Sequence, residues 1–313
     1  MSQPAAEPRA LDVVTGAFSY TGRFIARRLL ADGRRVRTLT NHTRRPGTED
    51  LLEKLEVEPL QFEDRARLRV ALRGASTLYN TYWVRFPHGR LDFDRAVANT
   101  RTLLRAAAEA GVKRVVHISV SNPSLDSPLA YYAGKAQTEE AVKESGLSWG
   151  IVRPTLVFAT GDILINNIAW MLRRMPVFGI PGDGQYRVQP VAAEDVADIA
   201  VWAGAQQENV TVDAAGPEIM TFAELVDQVC IAVNRRPRLV FMSPQMFILA
   251  GGLIGLATRD VVLTRQEVEG LMDELLVSNE PPRGARRLDD WLLANAAGIG
   301  ASYASELSRH FRR

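Results

Sequence analysis

Apolar and polar positions along the chain fall into two alternating rhythms. Short β-rich runs at residues 11–15, 35–40, 57–62, 77–81, 114–119 and 148–153 alternate with stretches whose apolar residues recur at helical spacing. The first such stretch, 21–31, sets Phe24, Ile25, Leu29 and Leu30 on one stripe, and others cover 49–55, 65–72, 93–110 and 131–145. Gly33, Gly74, Gly111 and Gly146 each stand where a helix ends, a position that favours a residue able to turn left-handed. Strand, helix, strand with short connections predicts right-handed βαβ units and a parallel sheet with helices on both faces.

After Pro154 the alternation breaks. Residues 161–184 hold a helical segment and then a loop rich in Gly and Pro, 194–205 reads as a helix and 209–213 as a seventh strand. From Thr221 onward helical spacing dominates. The pattern predicts a loose tail over 1–10 and a sheet domain over 11–160, with later contributions from about 190–215. A smaller, mainly helical C-terminal substrate lobe is expected from 161–189 and 217–313. Within it, the run 247–257 is apolar over 11 residues. A bilayer span needs about 20, so no integral membrane segment is expected. The run reads first as a helix packed inside the lobe, with a membrane-surface helix or a partner-binding face as the alternatives, and few charges flank it.

Where the first strand meets the first helix the chain reads Thr15-Gly16-Ala17-Phe18-Ser19-Tyr20-Thr21-Gly22. Glycine at the strand end permits a tight turn, and a second one six residues on permits close helix–strand packing. The helix N-terminus then offers N–H groups and the positive end of its dipole to a pyrophosphate. Ser19 replaces the middle glycine of the usual pattern, so its side chain must turn away from a phosphate or donate to it. In this context, after a first strand and before an amphipathic helix, the motif predicts a Rossmann-type doubly wound α/β fold that binds a dinucleotide. At the end of the second strand, an acidic residue would hold the ribose 2′-hydroxyl of NAD. Instead the chain reads Thr40-Asn41-His42-Thr43-Arg44-Arg45, with no acid before Glu49. Arginine pairs with a 2′-phosphate that a carboxylate would repel. The loop therefore predicts NADP(H) rather than NAD(H), with Asn41, Arg44 and Arg45 as candidate contacts.

Composition narrows the alternatives. With 38 Lys and Arg against 36 Asp and Glu, the net charge is +2. The arginines are scattered among acids rather than gathered on a face, which argues against a nucleic-acid partner. The single cysteine, Cys230, lies in an apolar stretch and reads as a buried structural thiol. His42, His88, His117 and His310 are too dispersed to predict a metal site. Residues 1–10 lack a secretory apolar segment, and the expected location is the cytoplasm. A homodimer is a base-rate expectation.

Four further stretches complete the picture: 112–119 (Val-Lys-Arg-Val-Val-His-Ile-Ser), Tyr131 and Lys135 in a Tyr-x-x-x-Lys pair, 152–155 (Val-Arg-Pro-Thr), and 190–197 (Pro-Val-Ala-Ala-Glu-Asp-Val-Ala). Only four lysines stand in this Arg-rich chain, at 54, 113, 135 and 143, which makes Lys135 informative. In this order the motifs resemble the short-chain dehydrogenase/reductase superfamily over about 11–216. They are most similar to its extended and atypical branches, which include nucleotide-sugar epimerases, NADP-dependent reductases and a complex I accessory subunit. The resemblance implies that Tyr131 exchanges a proton with a carbonyl or alcohol oxygen. Lys135 would favour the phenolate and bond the nicotinamide ribose, and a serine hydroxyl would polarise the same substrate oxygen. The family's strand end matches Ser121 better, with Ser119 as the alternative. Further carry-overs are Gln61 and Phe62 beside adenine, and Asn80, Thr81 and Tyr82 beside the nicotinamide ribose. Asn99 stands on the long helix, and Pro154 and Thr155 lead the loop over the carboxamide. Tyr82, Trp83 and Arg187 are candidates for the substrate pocket. Gln61 departs from the family's acidic residue.

The expected function is an NADP(H)-dependent oxidoreductase acting on a small carbonyl or alcohol through a Ser-Tyr-Lys site. Two alternatives stand beside it. One is an NAD-dependent nucleotide-sugar epimerase or dehydratase, which ordinarily keeps the middle glycine and a longer serine-to-tyrosine loop. The other is a regulator or assembly subunit that binds NADP(H) without turnover.

Overall fold

The computed structural model describes residues 10–43 and 45–310, except for the side chains of residues 309 and 310. Nearly all of the expected N-terminal tail, residues 1–9, lies outside the described residues, as does Arg44. In chain order the elements are β1 (Leu11–Thr15), α1 (Tyr20–Ala31), β2 (Arg35–Leu39), α2 (Glu49–Leu52), β3 (Glu56–Glu58), α3 (Arg65–Leu72), β4 (Ala75–Asn80), α4 (Phe93–Glu109), β5 (Arg114–Ile118), α5 (Ala130–Lys143) and β6 (Ser148–Pro154). They continue with β7 (Leu156–Phe158), α6 (Leu164–Arg174), β8 (Val177–Pro181), β9 (Arg187–Val188), β10 (Pro190–Ala192), α7 (Ala193–Ala205), β11 (Val210–Ala214), β12 (Met220–Thr221), α8 (Phe222–Ala232), β13 (Arg238–Met242), α9 (Pro244–Thr258), α10 (Arg265–Met272), α11 (Leu288–Asn295) and α12 (Glu306–His310).

Seven strands form one parallel sheet in the order β11-β6-β5-β4-β1-β2-β3. β1 pairs in parallel with β2 on one side and β4 on the other, so the winding direction reverses between β1 and β4. In open sheets of this kind the strand carboxyl ends at that reversal form the ligand crevice. The fold is the Rossmann-type α/β arrangement expected from the alternating pattern. The predicted third strand, 57–62, is shorter in the structure because Pro59 has no N–H to extend the ladder. Leu60 instead gives its N–H to Asn41 Oδ1 (3.1 Å) and accepts from Asn41 Nδ2 (2.8 Å).

The chain divides into two compact units. The first comprises residues 1–119, 133–152 and 196–212. Its core on one sheet face joins Val13, Leu78, Val115 and Ile151 of the strands to Leu68, Leu72, Leu103 and Leu104 of α3 and α4. Each such aliphatic side chain contributes about 1.5–3 kcal/mol on burial. Asp12, fully buried in β1, is held by a forked pair from Arg34 (2.7 and 2.8 Å) and by Ser76 Oγ (3.0 Å).

The second unit comprises residues 120–132, 153–195 and 213–313. Besides its helices it carries three two-stranded ladders, β10 with β7, β12 with β9, and β13 with β8. Periodicity did not reveal them because the strands are two to five residues long. Their inner residues Phe158, Ile180 and Val188 join Leu225, Val226 and Val229 of α8 in one core. Cys230 lies at the edge of that core, and burial raises its thiol pKa. The apolar run at 247–257 does not pack as expected. Within α9 only Gly255 is buried, since the helix rests on β8 through a narrow underside that includes Phe247.

Candidate functional site

The β1–α1 turn is built around two glycines. Gly16 has φ +64, a conformation an L side chain rarely takes, and its N–H bonds the Leu39 carbonyl (2.9 Å). At Gly22 a Cβ would come within 2.2 Å of the Gly16 carbonyl oxygen, so only glycine allows α1 to approach the strand end this closely. Ser19, the N-cap of α1, makes no side-chain bond to the helix's first turn. Its hydroxyl lies 3.1 Å from where a Cβ on either glycine would sit, tucked into the turn. Ala17 donates its N–H to Thr38 Oγ1 (2.9 Å). Phe18 is buried, so of this residue only the backbone is placed to meet a ligand. Tyr20 and Thr21 begin the helix and are half-buried.

The end of β4 is tied to the end of β1. Thr81 donates its N–H to Thr15 Oγ1 (2.8 Å) and its hydroxyl to the Thr15 carbonyl (2.5 Å). Asn80 is fully buried. Its Oδ1 accepts from the Tyr82 N–H (3.1 Å) and from Thr15 Oγ1 (3.2 Å). Because the Tyr82 N–H can only donate, the Asn80 amide is oriented with Nδ2 toward His117 Nδ1 (3.1 Å). His117 then carries its ring proton on Nε2 and donates to Thr138 Oγ1 (3.1 Å), which donates to the Lys135 carbonyl (2.7 Å). Burial, reinforced by the Lys135 charge, pushes the His117 pKa down to about 3, so the ring is neutral. A directed chain of polar groups thus runs from Thr15 through Asn80, His117 and Thr138 to the backbone of Lys135.

Lys135 is itself buried. Its ammonium donates to the carbonyl of Ile118, the last residue of β5 (3.0 Å), and lies 4.9 Å from the centre of the Trp83 ring. Burial pushes its pKa down to about 7, opposed in part by Glu139. The next residue after Ile118 is Ser119. Its N–H bonds the Val152 carbonyl (2.7 Å), while its buried Oγ has no hydrogen-bond partner among the described residues. A buried hydroxyl left unpaired costs about 1–3 kcal/mol and calls for a ligand or a water. Tyr131 stands one helical turn before Lys135 on α5 and is half-buried. Its N–H bonds Gln266 Oε1 (3.1 Å), and its ring meets Tyr132 edge-on (5.4 Å). Ser121 is placed differently from Ser119. It is fully buried and its hydroxyl donates to the Leu275 carbonyl (2.6 Å).

The NAD(P)H-binding family model matches residues 16–172, half of the chain and the stretch that holds the turn, the β4 end and α5. The chain belongs to this family. Its fold is the one that extended short-chain dehydrogenases/reductases share. It is 30% identical over 238 residues to the (4-alkanoyl-5-oxo-2,5-dihydrofuran-3-yl)methyl phosphate reductase of Streptomyces griseus, covering 71% of this chain and 74% of that one. It is 24% identical over 241 residues to the mitochondrial NADH dehydrogenase [ubiquinone] 1 alpha subcomplex subunit 9 of Arabidopsis thaliana. That match covers 72% of this chain, which spans 59% of the subunit's length. The fold superposes on the triphenylmethane reductase of Citrobacter sp. complexed with NADP(H), with a TM-score of 0.73 and 17% identity over 91% of this chain and 99% of that one.

Several other residues expected at the NAD(P)H site have side chains already engaged in the fold. Asn41 is exposed and ties the end of β2 to Leu60, so it braces the loop. Gln61 accepts from Arg67 (3.2 Å). Phe62 packs on Tyr82 with ring centres 4.6 Å apart, and the Tyr82 hydroxyl accepts from Asn99 Nδ2 (2.8 Å). Arg45 is half-buried on the loop that Arg27 anchors through Gly47 and Asp50. Trp83 lies against α5 over Gly134 and stacks on Phe93 (5.8 Å). In the second unit, Pro154 and Thr155 are buried, and Thr155 bonds the Ala214 carbonyl through its N–H (3.1 Å). Arg187 is exposed and paired with Glu274 (2.8 and 2.5 Å). Sequence reasoning missed His117 and Thr138. The available signal was a histidine in a β-rich run that is apolar apart from Arg114, since a buried ring demands polar partners.

Proposed function

We propose that this protein is an NADP(H)-dependent oxidoreductase that transfers hydride to or from a small carbonyl or alcohol. The observation that carries the proposal is the buried, unpartnered Ser119 hydroxyl directly after Ile118, whose carbonyl holds the Lys135 ammonium. A hydroxyl with no internal acceptor keeps its proton for a substrate oxygen, whereas the Ser121 proton is spent on Leu275. Ser119 is therefore the serine of the site in this reading.

The turn fits a dinucleotide in its chemistry: a left-handed Gly16, a Gly22 that no side chain can replace, and a helix start without a side-chain cap. NADP(H), when bound, supplies or accepts the hydride. In the reducing direction Tyr131 gives its phenolic proton to the carbonyl oxygen while Ser119 donates a hydrogen bond to that same oxygen. The Lys135 ammonium, kept in place by Ile118, lowers the cost of the phenolate that remains on Tyr131. Trp83 covers Lys135 and limits water around it. Arg45, together with Arg44, answers the 2′-phosphate, since no acid lies between Thr40 and Glu49. Asn41, held by Leu60, serves this loop as a brace.

Turnover of NADPH with a panel of small aldehydes, ketones and quinones tests the reading, with Tyr131→Phe beside the natural chain. The expected result is substrate-dependent NADPH oxidation that falls by about 10²–10⁴-fold in the variant, with NADPH affinity retained. Binding of NADPH without turnover of any substrate would instead support an assembly or sensing role.

A further inference from the structure

Helix α9 carries 15 residues without a charge among them. Along it Met246, Leu249, Leu253 and Leu256 follow at spacings of three, four and three, which sets them on a single stripe. That stripe faces outward, with the four side chains 61%, 68%, 63% and 78% exposed. Phe241, two residues before the N-cap Ser243, is also exposed. The inner face, with Phe247 and Gly255, holds the helix to the second unit. A row of four large apolar side chains left in water on one helix marks a contact surface.

The segments of chain that flank the stripe in sequence carry charge of one sign. Residues 228–259 contain four arginines (Arg235, Arg236, Arg238 and Arg259) and no acidic residue. All four are exposed, and the side chains of Arg235, Arg236 and Arg238 form no ion pair among the described residues. The next acid, Asp260, is buried and bonds the N–H groups of Glu306 and Leu307 and the Tyr303 hydroxyl (3.0, 2.9 and 3.0 Å), so it does not offset Arg235, Arg236 and Arg238 at the surface. A second copy of the chain laid on this face would bring two sets of unpaired arginines together. A sheet of anionic lipid offers apolar depth for the stripe and phosphates for the arginines at once.

We propose that α9 docks this protein peripherally on an anionic lipid surface, with Met246, Leu249, Leu253 and Leu256 inserted and Arg235, Arg236 and Arg238 on the headgroups. The helix lies in the interface and does not cross it: at about 1.5 Å per residue it falls short of the roughly 30 Å hydrocarbon core, and no described helix is long and apolar enough to span. This inference does not depend on the proposed catalytic reaction.

Flotation of the full chain with phosphatidylcholine vesicles, with and without phosphatidylglycerol, tests it. The expected result is at least about tenfold stronger association with the anionic vesicles, reversed by high salt. Leu249→Glu with Leu253→Glu abolishes association. Arg235→Gln with Arg236→Gln and Arg238→Gln removes the preference for anionic lipid. Both variants change exposed positions, and an unchanged thermal midpoint verifies the fold in each. Equal or absent association with the two vesicle types would overturn the proposal. So would a solution dimer that the glutamate variant converts to a monomer, because the occupant would then be a second copy.

Discussion

Ser121 gives its hydroxyl proton to the carbonyl of Leu275 at 2.6 Å, whereas the buried Ser119 hydroxyl two residues earlier meets no partner among the described residues. The two serines therefore fail differently when removed. Ser119→Ala is expected to lower kcat by about 10²–10³-fold, the usual effect of losing a donor to a developing oxyanion, with little change in thermal midpoint. Ser121→Ala leaves the Leu275 carbonyl with Asn122 Nδ2 alone (3.0 Å) and is expected to cost about 0.5–1.5 kcal/mol of stability, with turnover of the folded enzyme nearly preserved. Steady-state kinetics and thermal unfolding of both variants check this. The reverse pattern would return the catalytic role to Ser121.

A methyl group at position 22 is expected to damage the nucleotide turn directly. It would lie 2.2 Å from the Gly16 carbonyl oxygen, so the helix must move away from the strand. Gly22→Ala should cost about 1–3 kcal/mol and remove measurable NADPH binding. Gly251→Ala, at a site where a Cβ meets nothing, is the matched control and should leave binding intact. Equal behaviour of the two variants in calorimetry would refute the role given to the turn.

Lys135 makes stability depend on pH in a particular window. Its pKa in the folded chain is pushed down to about 7 by burial, below the 10.5 of a free lysine. Below pH 7 both states hold the proton and the folded state bears the full penalty of the buried charge. Between pH 7 and 10.5 the unfolded chain holds more protons, so stability rises with pH. Relative to Lys135→Met, the natural chain should gain stability across this window with a slope approaching ~1.4 kcal/mol per pH unit. Denaturant titrations of both chains from pH 6 to 10 measure the slope. A difference that stays flat would mean that Lys135 titrates normally.

Much of this architecture was legible because its signals are periodic. The hydrophobic spacing located the strands and helices of the sheet, and the glycine spacing located the turn at the reversal between β1 and β4. Less legible was anything decided by long-range partners. The Ser121 hydroxyl is committed to Leu275, 154 positions away in sequence, and that the Ser119 hydroxyl meets no partner shows only in the folded chain. The Asn80–His117–Thr138 chain is likewise invisible until three elements are folded together. The bond of Asn41 to Leu60 was equally hidden, because it depends on the proline that shortens β3 and frees the Leu60 backbone. In α9 the apolar run suggested a buried helix, and only the folded unit shows how little of the helix it covers.

The central claim, that the chain uses NADP(H), is tested most directly by calorimetric titration with NADPH and NADH side by side, for the natural chain and for Arg45→Ala. The expected result is tight NADPH binding, much weaker NADH binding, and a loss of about 10- to 100-fold for NADPH alone in the variant. Tight NADH binding that exceeds NADPH binding, or an equal loss of both in Arg45→Ala, would contradict it.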